Sequence, residues 1–172
     1  MIFRYLNIHL PKFKSRIKLK TKSMIQLIKT DSSNKDFQNL VSQLDVGLKT
    51  VDGDMHDFYH QYNGISNIKY AIVAYQNEKP VGCGAIKKSD DKTMEVKRMY
   101  VLPSYRNQGV ATIVLSALED WAKDLRYKRC VLETGKLQVE ALRLYEKNGY
   151  QIISNYGQYE GIENSVCFEK VI

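Results

Sequence analysis

Residues 101–112 read VLPSYRNQGVAT, and the fold turns on what lies on either side of them. Upstream, residues 93–102 are β-rich and stop at Pro103, which cannot donate to a sheet ladder. Downstream, Val110, Val114, Leu115, Leu118, Trp121 and Leu125 recur at helical spacing to about residue 126, the longest amphipathic pattern in the chain. Residues 129–133 are β-rich again and follow directly. Strand, loop, helix and strand make a βαβ unit, so its two strands should run parallel with a right-handed crossover.

Working outward, residues 81–87 and 68–76 form a hairpin joined by the turn Asn77, Glu78, Lys79, Pro80, and a second turn at residues 89–92 leads into the strand before the loop. Earlier still, residues 25–29 predict a short strand. Asp31, Ser32, Ser33 and Asn34 then offer N-caps to a helix with Phe37, Leu40, Val41 and Leu44 on one face. Residues 55–62 predict a second short helix before the turn at Asn63 and Gly64. Past the βαβ unit, residues 137–147 form a helix stopped by Asn148 and Gly149, and residues 150–154 and 166–170 supply two strands around a loop at 155–164. The order β, α, α, β, β, β, α, β, α, β, β predicts an α/β (α+β) mixed sheet flanked by helices.

The chain has 172 residues, 44% hydrophobic and 26% charged, a mix that belongs to a globular domain with one core. Its net charge of +7 sits at one end: residues 1–23 hold seven of the 26 bases and no acid, which leaves the rest with as many bases as its 19 acids. A neutral body argues against nucleic acid as a partner. The domain is therefore read as residues 24–172, preceded by a basic extension that is either poorly ordered, with Met24 as an alternative start, or a short arm. The extension lacks the uninterrupted apolar run and the small-residue cleavage site of an export signal. No run of about 18 apolar residues occurs, so no membrane span is expected. Cys83, Cys130 and Cys167 show neither CxxC nor zinc-ligand spacing, so no metal is expected; they read as buried, inert thiols in a cytoplasmic protein.

The loop carries the chemistry. Amides at a helix N-terminus lack intrahelical partners and the helix dipole is positive there, so Asn107, Gln108, Gly109, Val110, Ala111 and Thr112 read as a cradle for a pyrophosphate, with Arg106 adding formal charge. Gly109 and Ala111 are small where an anion approaches the backbone. Neither GxxxxGK[ST] nor GxGxxG is present, which excludes a Walker loop and a dinucleotide fingerprint.

Arg106, Gly109 and Ala111 fill every defined position of [RQ]-x-x-G-x-[GA] between a strand and a helix, and in this the chain resembles the GCN5-related N-acetyltransferases. The preceding strand EVKRMYVLP, residues 95–103, and the later run ALRLYEKNGY, residues 141–150, are also similar to that family, so the resemblance covers roughly residues 25–170. It implies an acyl-CoA N-acyltransferase fold and acetyl-CoA as the acetyl donor, with its pyrophosphate on the amides of residues 108–112. It further implies a bulged strand that splays from its neighbour, so that backbone groups of Met99, Tyr100 and Val101 pair with the pantetheine arm. The acetyl group then lies between strands 93–102 and 129–133, and the amine arrives from the opposite side.

By the same resemblance Tyr145 protonates the departing thiolate, although its spacing with Ala141 and Leu142 also suits a core aromatic. Glu95, eleven residues before Arg106, is either the general base or a solvated strand carboxylate paired with Lys97; Glu133 is a rival base or an amine-binding carboxylate. His56, spaced i, i+4 with His60, and Tyr159 lie where the family shapes its acceptor pocket. Gly82 and Gly84 read as sites of close backbone packing. The implied activity is direct acetyl transfer to a primary amine of a small molecule or peptide, by a monomer or homodimer. The alternatives are transfer of a longer acyl group and a non-catalytic acyl-CoA-binding or protein-interaction module.

Overall fold

The computed structural model describes residues 24–53 and 56–172; the expectation for residues 1–23 lies outside the described residues. Seven strands form one sheet: β1 (Ile25–Thr30), β2 (Tyr70–Gln76), β3 (Lys79–Lys88), β4 (Thr93–Val101), β5 (Arg129–Gly135), β6 (Gln151–Ile153) and β7 (Ser165–Val171). Four helices accompany them: α1 (Lys35–Asp52), α2 (His56–His60), α3 (Val110–Asp124) and α4 (Val139–Lys147). The order along the chain is the predicted one.

The strands lie in the order β1-β2-β3-β4-β5-β7-β6, antiparallel except for β4 and β5. Parallel neighbours need a long connection, and α3 supplies it. Val110, Val114, Leu115, Leu118 and Ala122 bury one face of α3 against Ile72, Ile86, Met94 and Leu132. On the other face of the sheet, Phe37, Leu40 and Val41 of α1 cover Ala71, Val73, Cys83 and Ala85. Asn34 is the cap that α1 uses: its side-chain oxygen accepts from the amide of Phe37 at 2.9 Å. Among the described residues no helix is long and apolar enough to cross a membrane.

Several boundaries differ from the sequence reading, each for a local reason. Ile68 is not in β2, because its amide closes a turn onto the carbonyl of Ile65. The hairpin turn is only Asn77 and Glu78, both at positive φ, while Lys79 and Pro80 belong to β3. Pro80 is tolerated there because the register with β2 shifts beside it, between Ala74 and Tyr75. Helix α4 begins at Val139 rather than 137, since the Gln138 amide turns back onto the carbonyl of Gly135.

The cysteines are free and fully buried, as expected. Burial pushes the thiols of Cys83 and Cys130 up to about 12 and that of Cys167 to about 11, so none is a nucleophile near neutrality.

Candidate active site

The site begins with one extra residue in β4. Cys83 pairs with Tyr100 and Ala85 with Lys97, so Arg98 and Met99 together oppose Gly84. Arg98 takes the cost of this bulge at φ 57, and its buried guanidinium is ion-paired to Asp45 of α1. Gly84 is required opposite it: a Cβ there would run into the thioether of Met99 and come within 2.9 Å of Leu118 Cδ1. Gly82 is equally confined: a Cβ there would come 2.9 Å from the carbonyl oxygen of Tyr100.

Ahead of the bulge β4 has already left its parallel neighbour. Their pairing covers only Thr93 with Arg129, Met94 with Cys130 and Glu95 with Val131. Met99, Tyr100 and Val101 therefore run along an opening in the sheet, although the Val101 carbonyl already accepts from Arg106 Nε at 3.1 Å.

A 3-10 turn, Pro103–Tyr105, then brings the chain to α3. Asn107 at φ 59 and Gly109 at φ 84 are left-handed, which aims the start of α3 at the opening. The first intrahelical bond runs from the Ile113 amide to the Gly109 carbonyl, so the amides of Val110, Ala111 and Thr112 have no intrahelical partner. Unlike α1, α3 has neither a side-chain cap nor an acidic residue in its first turn. Among the described residues, a Cβ on Gly109 would meet no atom within 4 Å apart from its chain neighbours, so packing does not require a glycine there. Gly109, Ala111 and Thr112 line the opening, and Gln108 reaches back to the Ser104 carbonyl.

The opening continues into a cleft of about 1050 Å³ that crosses the sheet. Arg106 and, from α4, Arg143 and Lys147 also line the cleft. The last two were not singled out in the sequence; their spacing of four places them on one helix face, a signal that a basic helix surface carries only weakly.

Tyr145 is in the core and also in the cleft. Its ring packs on Tyr150 and Phe168, it is 6% exposed, and it lines the opening. The core-aromatic reading is met, and the same residue also borders the opening. Burial first, then the charge of Glu133, raises its hydroxyl above the ordinary tyrosine range, so it stays protonated.

Across the sheet the opening meets two carboxylates. Glu95 accepts from Lys97 Nζ at 3.2 Å and from the Tyr156 hydroxyl at 3.4 Å. The predicted pairing with Lys97 exists, but the carboxylate is not solvated: its side chain is 13% exposed and that of Lys97 is 11%. The loop between β6 and β7 accounts for this, since Tyr156 covers Glu95 while the Tyr159 hydroxyl accepts from Lys97 at 3.4 Å. Glu133 accepts from Ser165 Oγ at 2.6 Å, and Ser165 Oγ lies 3.1 Å from the hydroxyl of Tyr59. With the serine proton engaged by the carboxylate, Tyr59 is the donor in that second bond. Tyr59 and Ser165 were not foreseen, because β7 and α2 reach Glu133 only through the fold. His56 opens α2, but its side chain lies outside the described residues. Among the described residues no group of three metal-ligating side chains occurs.

A mixed sheet opened by a bulged strand, with an uncapped helix N-terminus at one end of the opening, is the architecture of an acyl-CoA N-acyltransferase. Residues 38–150 match the Acetyltransferase (GNAT) family, and the chain belongs to that family of N-acetyltransferases. It is 34% identical over 113 residues to YjgM, an uncharacterized N-acetyltransferase of Escherichia coli; the match covers 63% of this chain and 66% of YjgM, just under two thirds of the relative's length. An acyl-CoA N-acyltransferase from Klebsiella pneumoniae superimposes with a TM-score of 0.72 at 30% identity, covering 86% of this chain and 97% of the other. The fold is also that of a GNAT acetyltransferase from Elizabethkingia anophelis crystallised with acetyl-CoA, at a TM-score of 0.61, 20% identity, and 86% and 98% coverage.

Proposed function

We propose that the chain transfers an acetyl group from acetyl-CoA to a primary amine by direct attack in a ternary complex. The observation that carries this reading is the opening between β4 and β5, which has the uncapped amides of α3 at one end, the Tyr145 hydroxyl on one side and two carboxylates on the other. Residues 109–112 fit the pyrophosphate, since they line the cleft at a helix start whose amides have no intrahelical partner, and Arg106 lines the same cleft. Backbone groups of Met99 and Tyr100 border the opening, where an N–H can polarise a thioester carbonyl.

In this reading the amine nitrogen forms a bond to the carbonyl carbon, the carbon–sulfur bond breaks, and the nitrogen's proton passes to a carboxylate on the α1 face, directly or through water. Glu95 and Glu133 both border the opening and both are placed for that role. Tyr145 faces the leaving sulfur with its proton retained. Its raised pKa reduces the driving force for complete transfer, so it acts as much by hydrogen-bonding the developing thiolate as by protonating it. Holding both reactants in one cleft supplies the larger share of the rate. The three buried thiols support a reducing, cytoplasmic setting.

The test is incubation of the full chain with acetyl-CoA and a panel of amines, followed by free thiol release and by mass spectrometry for acetylated product. Amine-dependent thiol release matched by product is expected. Calorimetry showing no CoA binding would remove the assignment.

A further inference from the structure

The acceptor's chemistry is written in the α1 face of the opening. Glu95 and Val131 are the last paired residues of β4 and β5, so Lys97 and Glu133 each stand two residues further along diverging strands. Lys97 shares the face of its partner Ala85, which packs under α1, and Glu133 shares the face of its partner Cys167, which packs with Tyr59 and Tyr159. Opposite charges therefore flank the gap through which an amine must reach an acetyl group. Both line the cleft.

Lys97 Nζ is held by Glu95 Oε1 and the Tyr159 hydroxyl, so the cation is fixed at the cleft wall instead of reaching into bulk water. Two of the three ammonium protons are engaged by Glu95 and the Tyr159 hydroxyl, which leaves the third for a carboxylate oxygen brought beside it. Leu44, Leu48 and Val51 lie along one stripe of α1 and line the cleft, as do Tyr59, Tyr159 and Asn63.

Resting on the transferase reading above, we infer that the acceptor is a free α-amino acid with an apolar side chain. Its amine faces Glu133, its carboxylate faces Lys97, and its side chain lies against Leu44, Leu48 and Val51. An α-amino acid carries amine and carboxylate on one carbon, which matches two opposite charges bordering one gap. A lysine side chain in a protein has no such carboxylate.

The experiment compares thiol release from acetyl-CoA with leucine and phenylalanine, their amides, isoamylamine, 2-phenylethylamine and spermidine. The free acids should exceed the amides and the decarboxylated amines in kcat/KM by on the order of tenfold to a hundredfold, the worth of a charge-assisted contact. The amides have the more readily deprotonated amines, so intrinsic reactivity runs against that order. Lys97→Met should raise KM for leucine by a similar factor with a smaller change in kcat, and Lys97→Arg should recover part of the loss. If the single variant fails to fold, the double variant Glu95→Gln, Lys97→Met removes the ion pair as a unit and is expected to lose the preference for the acid. Equal or better use of the amides or amines, equal KM effects of Lys97→Met on acid and amine, or no turnover of any free amino acid would overturn the inference. Turnover of amines alone leaves the transferase reading standing, whereas absent CoA binding by calorimetry sinks that reading as well.

Discussion

Placing a carboxylate at Gly109 separates what this residue does for the fold from what it does for a ligand. Gly109 is left-handed at φ 84, so any side chain there meets backbone strain of about 1–2 kcal/mol. It meets no clash, because among the described residues no atom beyond its chain neighbours lies within 4 Å of the added Cβ. A negative side chain at a helix N-terminus regains about 0.3–1 kcal/mol from the dipole. Gly109→Glu should therefore fold, destabilised by only about 1 kcal/mol. Binding is another matter, since the carboxylate would stand about 5 Å from a doubly charged pyrophosphate. Coulomb repulsion at the high effective dielectric of an exposed loop then comes to about 2–3 kcal/mol, roughly a thirtyfold to hundredfold weaker Kd. Gly109→Ala carries the same strain without the charge and should lose far less. Calorimetric titration with CoA, alongside thermal melts of the ligand-free proteins, reads both quantities. A folded Gly109→Glu that binds CoA as tightly as Gly109→Ala would refute the cradle.

Tyr145→Phe should keep CoA affinity and lower kcat by roughly a hundredfold when chemistry is rate-limiting, since only the hydroxyl at the opening is lost; unchanged kcat returns the residue to the core. With an alkylamine acceptor, substituting the true base should cost rate most at low pH and reshape the acidic limb of kcat/KM, so Glu95→Gln and Glu133→Gln compared on one acceptor assign the role. Leu118→Ala, fully buried on α3 and beside Gly84, should cost about 2–5 kcal/mol in urea unfolding. The thiols of Cys83 and Cys130 titrate near 12 in the folded chain against an ordinary 9.0. The unfolded chain thus loses those protons first, and the stability they contribute is complete below pH 9 and lost as pH climbs toward 12. A Cys83→Ala, Cys130→Ala variant should show a shallower fall of the urea midpoint over that range.

The element order, the loop that opens α3 and the need for small residues at 82 and 84 could all be read from the sequence, because each depends on neighbours within a few residues. Helical period, a proline ending a strand and a glycine opening a helix are local signals, so residues 101–112 and the helix after them were legible together. The bulge was legible only through resemblance: Arg98 adopts a left-handed φ that no local rule assigns to arginine, and it is held there by Asp45, 53 positions earlier. The state of the two carboxylates was not legible at all. Glu95 read equally as a general base or a solvated carboxylate, because nothing adjacent in sequence shows what covers it, and it is covered by Tyr156, 61 residues away. Glu133 acquires Ser165 from 32 residues away, and Ser165 in turn meets Tyr59 across 106 residues. Hydrogen bonds form wherever the sheet order brings donors to acceptors, and placing β7 beside β5 is settled by burial of the whole chain rather than by any stretch of it. Local sequence thus determined where the loop before α3 and its uncapped helix start lie, and only tertiary packing decided what surrounds the two carboxylates.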